Sequence, residues 1–305
     1  MTSTEPLRIL CVVGARPNFM KIAPLMRAFA AHPSLAPTLV HTGQHYDEAM
    51  KAAFFEQLNI PEPDVDLGVG SGSHALQTAE IMRRFEPVLD DLRAQAVLVV
   101  GDVNSTIACA LVAAKKHVPV IHVEAGLRSD DRDMPEEINR VLTDQLSELL
   151  FTTEEGAAAN LTREGINASR IHFVGNVMID TLMSHLERAT PARDVIAAVA
   201  PERAVDIGGG YGLVTLHRPS NVDNEAVFRR ILGALQEIGH RLPLIFPVHP
   251  RTAARLEAPG LKQMLGPSLL LTPPLNYLDL LGLMSGARVV LTDSGGIQEE
   301  TTALG

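Results

Sequence analysis

The sequence has 305 residues, long enough for about two domains. Its 26 Lys and Arg against 36 Asp and Glu leave a net charge of −10, which argues against a nucleic-acid footprint, since that needs a basic surface. With 46% hydrophobic residues it can bury substantial cores, yet no apolar run approaches the roughly 18 residues of a membrane span.

The start, MTSTEP, runs directly into RILCVVG and shows no basic region, long apolar stretch and cleavage site, so no secretory signal is read there. The pattern then predicts strands over Arg8–Val13, Thr38–His41, Ala96–Val100, Pro119–Val123, Leu149–Thr152 and His172–Val174. Helical periodicity fills the intervals at Pro17–Ala31, Glu48–Leu58, His74–Leu92, Ser105–Lys116, Glu136–Leu146 and Glu155–Arg163. The strands are apolar on both faces, as covered parallel strands must be, and their alternation with helices predicts a doubly wound α/β sheet.

After a helix near Met178–Glu187, a soft stretch over Ala189–Gly212 holds prolines and the run Gly208-Gly209-Gly210. Strands restart at Leu213–Leu216, Leu244–Val248, Leu269–Leu271 and Val289–Leu291, each followed by helical sequence. We expect two domains, 1–175 and 176–305, with no internal repeat. The last helix reaches Leu304 and the sequence stops at Gly305, so the second domain reads as incomplete, with a thin sheet edge. Cys11 and Cys109 lie in apolar surroundings without a C-x-x-C partner and read as reduced core thiols of a cytoplasmic protein.

Ligands of open α/β sheets bind beyond the C-terminal strand ends, so the residues there are the candidates. After the first strand come Arg16, Pro17 at a first helical position, and Lys21; the plain alternative is a turn with two solvated cations. After Val100 comes Asp102, whose ordinary role would be capping the next helix. Glu124 ends a buried strand, which is costly unless it is paired, with Arg128 the plain partner, or functional. His122 precedes Glu124 at i−2 and is expected to share its strand face; no Pro-Cys-x-x-Cys follows, which discounts a metal site. Pro135-Glu136-Glu137 opens a helix, where Glu136 and Arg140 also read as a simple i,i+4 pair.

In the second half His217 and Arg218 follow one strand and His249 the next, placed to neutralise an anion. The strongest local signal is Asp293-Ser294-Gly295-Gly296-Ile297-Gln298-Glu299-Glu300. A glycine-rich turn at a helix N-terminus exposes N–H groups that cradle phosphate, and Glu300 is spaced to accept from ribose hydroxyls. Gly68-Val69-Gly70-Ser71-Gly72 follows no evident strand and is not read as a dinucleotide loop.

Taken in order, Gly14-Ala15-Arg16-Pro17 with Lys21, Gly101-Asp102, His122-Val123-Glu124-Ala125-Gly126-Leu127-Arg128, Pro135-Glu136-Glu137 with Asn139-Arg140, His217-Arg218, Pro247-Val248-His249 and the Asp293–Glu300 run resemble the non-hydrolysing UDP-N-acetylglucosamine 2-epimerases over nearly the whole chain. The resemblance implies two Rossmann-like domains of the glycosyltransferase-B type facing across a cleft, the first with the acid/base residues and the second binding UDP. It implies a cytoplasmic homodimer serving polysaccharide biosynthesis, acting on a UDP-sugar with no metal or nicotinamide cofactor. It makes Asp102, Glu124 and Glu136 the acid/base candidates and His217 the group stabilising departing UDP. Arg16, Lys21, Arg140, Arg218 and His249 would support the substrate, Ser294, Gly295 and Gly296 would hold the diphosphate, and Glu300 the ribose.

The family pattern also carries a further strand, a Thr-Glu-Arg-Pro segment and terminal helices beyond the point where this sequence stops. Gln44, Glu136, Arg218 and His249 match parts of a second UDP-sugar site of bacterial members, whereas Ser71-Gly72-Ser73-His74 lacks an arginine some members use there. The competing readings are the same reaction on a UDP-diacetamido-uronic acid, a glycosyltransferase of the same fold, and a truncated UDP-sugar binder without turnover.

Overall fold

The segment LRILCVV, Leu7–Val13 (β1), buries its last five residues, the pattern of a strand covered on both faces. A computed structural model describes residues 5–44, 55, 57–201 and 207–305, and it divides into two compact units, Met1–Thr181 and Leu182–Gly305.

In the first unit β1 pairs in parallel with Leu35–His41 (β2) on one side and Ala96–Val100 (β4) on the other. Val65–Asp66 (β3) extends the β2 edge; Val120–Val123 (β5), Leu149–Thr152 (β6) and Ile171–Phe173 (β7) extend the other. The order is β3-β2-β1-β4-β5-β6-β7. The direction of winding therefore reverses between β1 and β4, and a crevice opens at their C-terminal ends. Its helices include Arg16–Ala30 (α1), His74–Asp91 (α2), Asn104–Lys115 (α3), Pro135–Leu146 (α4) and Glu155–Arg163 (α5), and Val177–His185 (α6) begins in this unit and ends in the second. Leu10, Val12, Val97 and Val99 of the sheet pack with Ile81, Phe85 and Leu89 of α2 and with Ala108, Cys109 and Val112 of α3.

The second unit repeats the plan on a smaller scale. Its strands are Gly212–Thr215 (β8), Leu244–Pro247 (β9), Leu269–Thr272 (β10) and Val289–Thr292 (β11), all parallel in the order β10-β9-β8-β11. The reversal falls between β8 and β11. Ala192–Val199 (α7), Pro219–Val222 (α8), Glu225–Gly239 (α9), Pro250–Leu256 (α10), Tyr277–Ser285 (α11) and Gly295–Leu304 (α12) are its helices. Asn224 caps α9 through the Ala226 and Val227 amides, and Phe228, Leu232 and Leu235 face Val214 and Phe246 at 3- and 4-residue spacing. Burying a Phe228-sized side chain contributes about 1.5–3 kcal/mol.

Two expectations change here, and a third falls mostly outside the described residues. The glycine run from Gly68 does follow a strand, the two-residue β3, which is too short for a period to register. The soft stretch contains α7, with Pro191 as its N-cap residue, while residues 202–206 lie outside the described ones. Of the helix expected over Glu48–Leu58, only residues 55, 57 and 58 are described, all helical. Among the described residues no helix is long and apolar enough to cross a membrane.

Candidate functional site

In the first unit the site grows from the β1 turn. Asn18 is buried, and its Oδ1 accepts from the Gly14 and Ala15 amides at 3.0 and 3.1 Å. Its Nδ2 donates to the Val100 carbonyl at 3.0 Å, so one side chain ties the ends of β1 and β4 together. A Cβ on Gly14 would overlap the Ser105 hydroxyl, which explains the glycine.

Lys21, one turn into α1, is not a solvated cation. Its Nζ lies 2.7 and 2.6 Å from the two Glu124 oxygens, with both side chains 10% exposed or less. Glu124 takes φ +75°, a left-handed conformation that costs a non-glycine residue about 1–3 kcal/mol and concentrates at functional sites. This turn ends β5 at Val123 and separates Glu124 from His122, which finds different partners. Gly101 also needs positive φ, +66°, and a Cβ there would stand 3.0 Å from Lys21 Nζ.

Asp102 does not cap α3, whose N-cap residue is Val103. Its carboxylate receives Arg140 Nη2 at 2.5 Å, while Asn139 Nδ2 donates to its carbonyl at 2.9 Å. Arg140 also stands 3.3 Å from Glu137, so the simple Glu136–Arg140 pair is not formed. Burial would push the Glu137 carboxyl up, but the Ser129 amide and hydroxyl, the Arg140 charge and the Asp130 amide hold it below its ordinary value. Glu136 is half-buried in the first turn of α4 and has no hydrogen-bond or ion-pair partner among the described residues.

Arg128 does not pair with Glu124 either. Its Nη2 lies 2.8 Å from Asp144 Oδ2, and its guanidinium grips both Glu164 oxygens. Asp144 Oδ1 is 2.7 Å from His122 Nδ1, and His122 Nε2 is 2.8 Å from the Gly101 carbonyl. Burial works against a charged ring, but the Asp144 hydrogen bond and charge, the Gly101 carbonyl and the Glu124 charge hold His122 above its ordinary value. The Arg16 side chain lies outside the described residues; Gln44 is buried, with its Oε1 on the Ser105 amide and hydroxyl.

In the second unit Asp293 organises the ends of β8 and β11. Its carboxylate accepts from the His217 amide at 3.1 Å, the Arg218 amide at 2.9 Å and Asn221 Nδ2 at 3.0 Å. His217 Nδ1 lies 2.8 Å from Asp293 Oδ1, which leaves Nε2 as the ring's outer nitrogen on a side chain 42% exposed. Burial raises the Asp293 carboxyl, but Asn221, the two amides and the His217 charge outweigh it and lower its pKa. Arg218 is exposed and donates Nε to the Asp293 carbonyl at 2.7 Å. His249 accepts from the Arg251 amide as the cap of α10, and its ring centroid is 5.9 Å from that of His217.

Ser294 is the N-cap of α12 and its hydroxyl makes no cap bond; a Cβ on Gly295 would meet nothing within 4 Å. Gly296 follows it in the first turn, where unpaired helix amides gather. Glu300 is buried one turn further on, with the Tyr277 hydroxyl 3.5 Å away. The first unit thus brings Lys21 to Glu124 and Asp102 to Arg140, and the second brings His217 and Arg218 to Asp293 with His249 beside His217. Sequence reasoning missed Asn18, Asp144 and Asp293 as organisers. Asp144 had a signal: Glu137, Arg140 and Asp144 are spaced three and four apart, so they share one face of α4.

A sequence model of the UDP-N-acetylglucosamine 2-epimerase family matches residues 27–305. The chain belongs to this family. It is 41% identical over 302 residues to the UDP-N-acetylglucosamine 2-epimerase of Methanocaldococcus jannaschii, covering 98% of this chain and 81% of that one. It is 40% identical over 302 residues to the UDP-2,3-diacetamido-2,3-dideoxy-D-glucuronate 2-epimerase of Pseudomonas aeruginosa, with the same coverage, 98% and 81%. The crystal structure of the M. jannaschii UDP-GlcNAc 2-epimerase in complex with UDP-GlcNAc and UDP superposes with a TM-score of 0.84 at 40% identity, covering 98% of this chain and 82% of that one.

Proposed function

We propose that this member of the family interconverts UDP-N-acetylglucosamine and UDP-N-acetylmannosamine by eliminating UDP and adding it back. The observation that carries the reading is the grouping of Glu124 on Lys21, Asp102 on Arg140 and unpaired Glu136 around the switch point of the first unit. The C2 proton of the sugar is not acidic, so a base alone does not invert that carbon. When the C1–O bond breaks, its electron pair leaves with UDP and C1 becomes electron-poor. A carboxylate then takes the C2 proton, a C1–C2 double bond forms, and the intermediate is 2-acetamidoglucal. Return of a proton to the opposite face of C2 and of UDP to C1 completes the inversion, with no net redox change.

The three carboxyl groups divide these proton transfers between the two faces of the ring. In this reading His217, backed by Asp293, stabilises the departing diphosphate together with the Ser294 hydroxyl and the amides of Gly295 and Gly296, the Ser294 amide itself donating to Thr292 Oγ1 at 3.0 Å. Arg16, Lys21, Arg140, Arg218 and His249 support the substrate, and Glu300 holds the ribose. A UDP-2,3-diacetamido-uronic acid is the second reading, favoured by the 40% identity to the P. aeruginosa enzyme. The active form is a homodimer in this reading, which sedimentation tests. The buried, unpaired thiols of Cys11 and Cys109 support a cytoplasmic setting.

The test is proton NMR of UDP-N-acetylglucosamine with the 305-residue chain in D2O. UDP-N-acetylmannosamine carrying deuterium at C2 is expected. Epimer without deuterium overturns the elimination route, and turnover of the diacetamido-uronic substrate alone transfers the reading to that sugar.

A further inference from the structure

His122 and Asp144 are both fully buried, and neither is placed to touch a substrate. Their hydrogen-bond partners favour a charged pair. A backbone carbonyl only accepts, so the Nε2 that faces the Gly101 oxygen at 2.8 Å carries a proton. Asp144 Oδ2 accepts from the Gly126 amide at 3.1 Å and lies 2.8 Å from the Arg128 Nη2 cation, surroundings that favour a carboxylate. With the carboxylate form, Nδ1, 2.7 Å from its other oxygen, carries a proton too, and His122 becomes an imidazolium sealed in the protein.

Each end of this pair holds one of two turns. The imidazolium grips the carbonyl of Gly101, one peptide before Asp102. The carboxylate grips the amide of Gly126, two residues after Glu124. The Gly101 amide donates to the Val123 carbonyl at 3.0 Å, so the two turns also lean on each other. Helix α4 completes the frame, since it supplies Asp144 together with the Asn139 and Arg140 contacts to Asp102. Removing the pair would leave the Asp102 and Glu124 turns held by the β4–β5 pairing and the Gly101–Val123 hydrogen bond behind them, with no side-chain tie between the turns through His122.

We propose that the buried His122–Asp144 pair is a positioning element that fixes the spacing of Asp102 and Glu124 for proton transfer; the inference rests on the epimerase reading above. His122 acts through the two turns and not on the sugar. Substrate affinity then stays while the chemical step fails, because misplacing a reacting group by about 1 Å costs on the order of 10²-fold in rate.

The experiment joins nitrogen-15 NMR of histidine-labelled wild type to kinetics of Asp144→Asn and His122→Gln. Both His122 ring nitrogens are expected to be protonated well above neutral pH. Folded Asp144→Asn and His122→Gln are expected to lose about 10²-fold in kcat, with KM and UDP affinity within about threefold of wild type. A wild-type ring with a single proton overturns the proposal without any variant, so it stays testable if the variants do not fold. Folded variants with near-normal kcat, or a loss seen only in KM, also overturn it. A wild type that forms no epimer overturns the epimerase reading and the proposal with it, whereas an active wild type beside active variants sinks the proposal alone.

Discussion

The first unit keeps its charges inside and the second keeps them at the rim, although both wind their strands in the same order around a reversal. Around β1, β4 and β5 the side chains of Lys21, Glu124, His122, Asp144 and Arg128 are almost wholly removed from water, Lys21 meeting Glu124 while Asp144 meets both His122 and Arg128. Around β8 and β11 the side chains of His217 and Arg218 stay accessible, and the carboxylate of Asp293 takes up backbone amides. The contrast teaches that one topology serves two tasks. In the proposed reading the buried pairs hold the groups that move a proton, while the accessible side chains and the α12 N-terminus suit an anion that arrives and leaves.

Breaking that contrast at its centre should give the largest effect. Glu124→Gln is expected to lower kcat by about 10³-fold, within the usual range for a general acid or base. It removes the anion that faces Lys21 and destabilises the first unit by about 3–5 kcal/mol, as loss of one buried partner does. Steady-state kinetics and a thermal melt check both, and UDP affinity measured by calorimetry should hardly change.

Asp293→Asn is the matching change in the second unit. It removes a charge-assisted partner from His217, a contact of about 1.5–3 kcal/mol, so kcat should fall about tenfold to a hundredfold. Here UDP affinity should weaken as well, and calorimetry that shows no weakening would place Asp293 outside nucleotide binding.

Two glycines sharpen the comparison. Gly101→Ala should cost about 1–2 kcal/mol, since φ is positive and the new methyl meets Lys21. Gly295→Ala has open space around it and should leave the melting temperature nearly unchanged or slightly raised. Its expected cost falls on UDP binding, where a methyl group would stand between phosphate and amides. Equal destabilisation by the two would contradict the difference between the units.

The smallest effect is in pH. The raised pKa of His122 gives stability that is complete below the ordinary histidine value and lost as pH rises through the raised one. The lowered pKa values of Glu137 and Asp293 give stability present above the ordinary carboxylate range and lost as pH falls through the lowered ones. Both units should loosen in acid, but alkaline loosening should begin at β5 and α4. Hydrogen exchange read by peptide, corrected for its intrinsic rate, distinguishes the two.

Much of this was legible in the sequence because parallel strands covered on both faces announce themselves as short apolar runs. Candidate residues follow from asking what stands after each strand, and Asp102, Glu124, His217 and Ser294 are found that way. Partnerships are not legible. Lys21 and Glu124 lie 103 residues apart, and nearer candidates such as Arg128 compete for Glu124 on paper. Helix α4 misleads by pattern, since Ile138 and Leu142 face outward while Glu137, Asn139 and Asp144 are buried. A strand of two residues such as β3 has no period to detect, and α7 hides between a proline and a glycine run.

The buried thiols have a practical side. Burial pushes Cys11 up to about 12 and Cys109 well above its ordinary value, so neither presents a thiolate to an alkylating dye. The sequence also contains no tryptophan. A single cysteine or tryptophan introduced on either unit would therefore report from its own position against a silent background. The native chain needs no prior substitution before fluorescence is used to follow a nucleotide arriving and departing.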